Sequence, residues 1–130
     1  MTDMNEMIIG EEMELFTIMT QKGWQTAHGH SIKAFGYKFF CAPFGSEDIY
    51  QWSITESETG ARLFLQNDSS GSGSYEEVML FLYTVVAVRI FKVLTNLQTL
   101  DNFETFNKQI DKLKKDYVER WGVMPTAVMH

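Results

Sequence analysis

The chain has 130 residues, 45% of them hydrophobic, with ten Phe, five Tyr, three Trp and a net charge of −6. That length carries one core rather than two, and that aromatic content excludes a disordered tail. A single cysteine, Cys41, excludes an internal disulfide and fits a reducing compartment.

Charge is unevenly placed. Residues 1–60 hold nine acids against three lysines, whereas residues 61–130 hold eight of each sign. This balance disfavours a protein that tracks phosphates and favours a basic partner, or simply solubility. The opening "MTDMNEM" lacks the basic and apolar parts of a signal peptide. The longest uncharged apolar run, Val78 to Val88, has eleven residues, where a membrane span needs about twenty. The expectation is one soluble cytoplasmic domain over residues 1–130, with a flexible Gly/Ser loop at 67–74 and a mobile tail at 123–130.

"GEEMELFTIMTQKG" reads as helix. Glu11, Glu12 and Glu14 fall in its first turn, Met13, Phe16 and Met19 share a face, and Gly23 stands as a C-terminal cap. From Trp24 the period becomes two. "SIKAFGYKFFCAP" sets Phe35, Tyr37, Phe39 and Cys41 on one face of a strand that ends at Pro43. "IYQWSITE" alternates Tyr50, Trp52 and Ile54, and "ARLFLQ" returns after a turn at Glu58-Thr59-Gly60.

Two helices close the chain. Tyr75 to about Asn96 is apolar nearly all round, as a buried central helix would be. Its start, Ser74 with Glu77, matches a capping box, and "GSGSYEE" lacks the lysine of a phosphate loop. In the last helix Asp101 and Glu104 are spaced as N-cap and N3 partners. Phe103, Phe106, Ile110, Leu113, Tyr117 and Trp121 form one stripe, and Gly122 ends it. Glu104/Lys108, Asp111/Lys115 and Asp116/Arg120 are spaced as i,i+4 ion pairs. The predicted architecture is α+β: an N-terminal helix, a three- or four-stranded antiparallel meander, then two C-terminal helices packed on the sheet.

No catalytic constellation and no cofactor motif emerges from this pattern. The leading expectation is a non-enzymatic protein-interaction module that binds a basic protein partner. Its contacts would be Glu11, Glu12 and Glu14, and the loop carboxylates Glu47, Asp48, Glu56 and Glu58. Size, charge and α+β composition are similar to those of phage and mobile-element inhibitors such as anti-CRISPR proteins. They fit toxin immunity proteins as well, and secretion chaperones except that the sequence shows none of the strands which follow the central helix in that family; no motif selects among them. The stripe of the last helix suits its own sheet first and a homodimer second.

Two alternatives carry their own residues. A small-ligand or metal-dependent enzyme would use a pocket between sheet and central helix, lined by His28, His30 and Cys41. His130 is a further donor without diagnostic spacing. "KAFGYKFF", Lys33 to Phe40, resembles the RNP1 strand of RNA-recognition motifs, which implies base stacking by Phe35, Tyr37 and Phe40. Ala34 and Lys38 depart from that pattern.

Overall fold

The segment expected to open the fold as a helix is a strand. In the computed structural model, which describes residues 7–45, 50–67 and 75–126, six strands come first. They are β1 (Ile8–Ile9), β2 (Glu14–Thr20), β3 (Gly23–Ala34), β4 (Tyr37–Gly45), β5 (Tyr50–Glu56) and β6 (Arg62–Asn67). Helix α1 (Tyr75–Phe81) continues through a π turn at Leu82–Val86 into α2 (Ala87–Thr99), and α3 (Phe103–Trp121) follows. All pairings are antiparallel, in the order β1-β3-β4-β5-β6, with β2 also paired to β3. The α+β character stands, but the predicted helix-plus-meander is corrected to a curled six-stranded half-barrel followed by two helices.

The correction at β2 has a local cause. Met13, Phe16 and Met19 do recur at helical spacing, but Phe16 and Ile18 also alternate, and Thr17, Ile18 and Thr20 are β-branched. A complete ladder from Glu14↔Gly29 to Thr20↔Gly23 decides between them. Gly23 therefore closes a hairpin instead of a helix, with φ +98°. A Cβ there would lie 2.8 Å from the Trp121 ring.

Strand β3 makes the curl. Its first half pairs with β2, and its second half, from His30↔Cys41 onward, pairs with β4. Gly29 stands at the change of partner, where a Cβ would meet the Cys41 carbonyl at 2.6 Å and the Phe16 ring at 2.8 Å. With no side chain in the way, the β2 arm folds over the sheet, and Phe16 stacks on Phe40 at 4.4 Å. The free edge of β2 reaches the β5–β6 turn, where the Met19 amide donates to Gly60 O at 2.8 Å.

The other face of the sheet carries the core. Ile32, Phe39, Cys41, Trp52 and Ile54 are fully buried against Leu82, Val86, Ile90 and Leu94 of the long helix. That helix is less enclosed than its composition predicts, since Leu80, Tyr83, Val88 and Phe91 are exposed. The span Glu76–Thr99 is 24 residues with a mean hydropathy of 2.0 over its most apolar stretch, of which 33% is buried. Length and composition would let it cross a membrane, a test that core helices also meet.

The strand expected through Lys33–Phe40 is two strands. Ala34↔Tyr37 closes a two-residue turn in which Phe35 and Gly36 take φ +57° and +83°. This is the primed geometry that suits hairpins and strains a bulky residue. Burial of the Phe35 ring between Phe91 and Phe103, at 5.8 and 5.9 Å, offsets the strain.

Asp101 is likewise reassigned. It takes φ +54° just past α2, where its amide donates to Gln98 O and the Asn102 amide donates to Leu97 O. Those two bonds are a Schellman motif, so Asp101 ends α2, and Asn102 opens α3 without a side-chain cap. The Ser74–Glu77 box and most of the Gly/Ser loop lie outside the described residues. Gly122 caps α3 as its spacing predicts, with φ +83° and its amide on Val118 O at 2.9 Å. Of the three expected ion pairs, Glu104–Lys108 closes at 3.3 Å between exposed side chains.

Candidate functional site

Helix α3 lies across the hairpin turns at one end of the sheet, and its stripe is spent there. Phe103 and Phe106 pack on Tyr37 at 5.8 and 5.0 Å, Ile110 is buried, and Tyr117 meets the Trp24 ring edge-on at 6.0 Å. Leu113 and Trp121 keep 37% exposure each, and Ile110 is the most enclosed residue of the stripe. Burial pushes the Tyr37 hydroxyl above its ordinary range. The Asn107 side chain that accepts its hydrogen bond lowers it, and the carboxylates of Glu56 and Glu58 raise it further.

The acidic residues divide into two places. Glu11, Glu12 and Glu14 sit where β1 gives way to β2, all exposed, because residues 10–13 stand opposite only 30 and 31 and bulge outward. The bulge is pinned twice: the Gly10 amide donates to Ser31 O at 2.8 Å, and His30 Nδ1–H donates to Gly10 O at 3.0 Å. A carbonyl only accepts, which fixes the proton on Nδ1. Beside the carboxylates, Ile8 and Met13 are 55% and 53% exposed, a combination the sequence pattern did not flag. Tyr83 OH donates to Glu11 Oε1 at 3.0 Å and ties the bulge to the long helix.

The second group is smaller than expected. Glu56 is not solvated: it is 5% exposed, and its two carboxylate oxygens accept from the Glu58 and Thr59 amides at 2.8 and 2.9 Å. It braces the β5–β6 turn and offers nothing to a partner. Glu58 is exposed, but it stands by the far end of β2, about 17 Å along the strand from Glu14 at five residues. Glu47 and Asp48 lie outside the described residues.

His28, His30 and Cys41 do not converge. His28 is exposed, His30 is turned to Gly10, and Cys41 is fully buried, with burial pushing its thiol far up. Among the described residues no three His, Cys, Asp or Glu side chains gather as a metal site would need. His130 lies outside them. The interface expected to hold a pocket is filled by Trp52, Phe39 and Ile54. The aromatic platform is also absent: Phe35 and Phe40 are buried, Phe35 against Phe91 and Phe103 of the helices and Phe40 against Phe16 of the arm.

Open space lies on the other face of the sheet. A trough of about 1060 Å³ runs between β2, β5, the start of β6 and the last turns of α3. Ile18, Met19, Leu113 and Trp121 wall it, and Lys22, Arg62, Asp116 and Arg120 also line it. A smaller cavity of about 340 Å³ continues it under the β2 arm, past Phe16, Ala27, His28 and Ala42. Arg62 Nε donates to Ser53 Oγ at 3.2 Å and the Arg120 guanidinium lies 5.2 Å from the Trp121 ring, so both cations are held at the rim.

Compared with known protein families, characterised proteins and solved structures, the chain matches none.

Proposed function

We propose that this protein is a small cytoplasmic, non-enzymatic interaction module, an inhibitor or adaptor, that binds a basic protein partner through the bulged edge at Ile8–Leu15. One observation carries the reading. Two large exposed apolar side chains, Ile8 and Met13, stand among three exposed carboxylates, Glu11, Glu12 and Glu14, along the passage from β1 into β2. An apolar centre with a charged surround is the composition of a binding patch, in which burial gives affinity and charge gives steering and selectivity. The deep burial of the lone thiol supports binding over nucleophilic chemistry.

The test is capture from source-cell lysate after nuclease treatment, comparing the native chain with two variants. In the Glu11→Gln, Glu12→Gln, Glu14→Gln variant, capture should weaken and lose its salt dependence. In the Ile8→Ser, Met13→Ser variant it should be abolished. A partner held equally by all three proteins would remove the edge from the interface.

A second reading keeps ligand binding but moves it to the trough, which the two rim guanidinium groups and Trp121 favour. A thermal-shift series with aromatic carboxylates, lost in Arg62→Ala and Arg120→Ala, would support it.

A further inference from the structure

We infer that the outward face of the long helix is a self-association surface, on which a second copy lies antiparallel about a two-fold axis at Thr84. The inference is independent of the edge reading and rests on another set of side chains.

Leu80 and Val88 are 63% and 43% exposed, high for large apolar residues on a helix whose opposite face is fully buried. With Thr84 between them they recur every four residues. In an ordinary α-helix such a row drifts by about 40° per step, since four residues overshoot a 3.6-residue turn. The π turn at Leu82–Val86 is wider, and it cancels most of that drift where the row passes through it. Leu80, Thr84 and Val88 therefore stand nearly in line along the axis, and Tyr83 and Phe91, 41% and 39% exposed, widen the apolar band on one flank.

The ends of the row select the occupant. One step before Leu80 is Glu76, and one step after Val88 is Lys92, both exposed. Inverting the row about Thr84 sets Leu80 on Val88 and Glu76 on Lys92 of the other copy, twice over by symmetry. The small threonine at the crossing point lets the two helices approach closely. A lipid surface would have no use for this charge order, and a parallel copy would set Glu76 beside Glu76.

Sedimentation velocity over a concentration series, with charge-exchange variants of the whole chain, tests this. The native chain should be dimeric. Leu80→Glu should raise the dimer dissociation constant roughly a hundredfold, since two symmetric leucines leave the interface. Glu76→Lys alone and Lys92→Glu alone should each weaken the dimer, and the double exchange should restore it. All these positions are exposed, and circular dichroism of each variant checks that it remains folded. A native chain that stays monomeric overturns the inference, as does a double exchange no tighter than the single ones. A monomer that floats with neutral phosphatidylcholine vesicles would overturn it too, and would assign the face to a membrane.

Discussion

The two faces of the sheet have opposite characters. The helix side is filled by Trp52, Phe39, Ile32 and Ile54, none of which reaches solvent. The arm side is bridged by a few contacts, Phe16 on Phe40 and Met19 on Gly60, around a trough of about 1060 Å³. Stability is thus concentrated on one face, and the other is left free to open or to receive something. Interiors at crystal-like density report the loss of a single side chain; a bridged, wet face does not.

Substitutions should separate the faces by size of effect. Trp52→Ala should cost about 3–5 kcal/mol in urea unfolding, because the surrounding helix cannot collapse into so large a void. Trp121→Ala on the trough side should cost well under half of that, and equal losses would erase the contrast. Glu56→Ala, which strips two turn amides of a charged acceptor at the junction of the faces, should cost about 1–3 kcal/mol.

Cys41 gives the helix face a pH signature. Its folded thiol is held protonated by burial, above the ordinary value of 9.0, so the unfolded chain alone gives up a proton as pH passes that value. The contribution is complete below pH 9.0 and declines above it. By pH 10 about 1 kcal/mol should be gone in the native chain and retained in Cys41→Ala, apart from the common titration of tyrosines and lysines. A thiol that reacts with an aromatic disulfide in folded protein at pH 8 would contradict this burial. The smallest effect has the opposite sign and lies on neither face. Asp101→Gly relieves a left-handed residue at the end of α2 and should add about 0.5–1 kcal/mol.

The chain from β5 onward was the more legible part. Strand β5, strand β6, the long helix and the stripe of α3 all follow from periodicity, because each buries one face against a neighbour. The N-terminal half resisted for identifiable reasons. Glu14–Thr20 fits both periods, and the ladder that decides it comes from residues 23–29, which no local pattern announces. Phe35-Gly36 hides a turn because its φ > 0 residue is a phenylalanine held in place by rings from α2 and α3, more than fifty residues away. Asp101 has the composition of an N-cap and the conformation of a C-cap. In the candidate site, Glu11, Glu12 and Glu14 were visible as charge, but exposure of Ile8 and Met13 is a property of the fold. Glu56 carried a signal that went unused: a carboxylate three residues before Thr59 in a turn commonly accepts backbone amides.

The β2 arm is latched by the last described residues. Trp24 Nε1 donates to Gly122 O across 98 positions, and Thr17 Oγ1 donates to Pro125 O across 108. During synthesis the arm therefore emerges long before its latch, by roughly 5–20 s at ordinary elongation rates. For that interval the arm belongs to a ribosome-bound chain with an unpaired strand edge. An N-terminal edge that waits so long is where a chaperone, or an early-binding partner, would find this protein first.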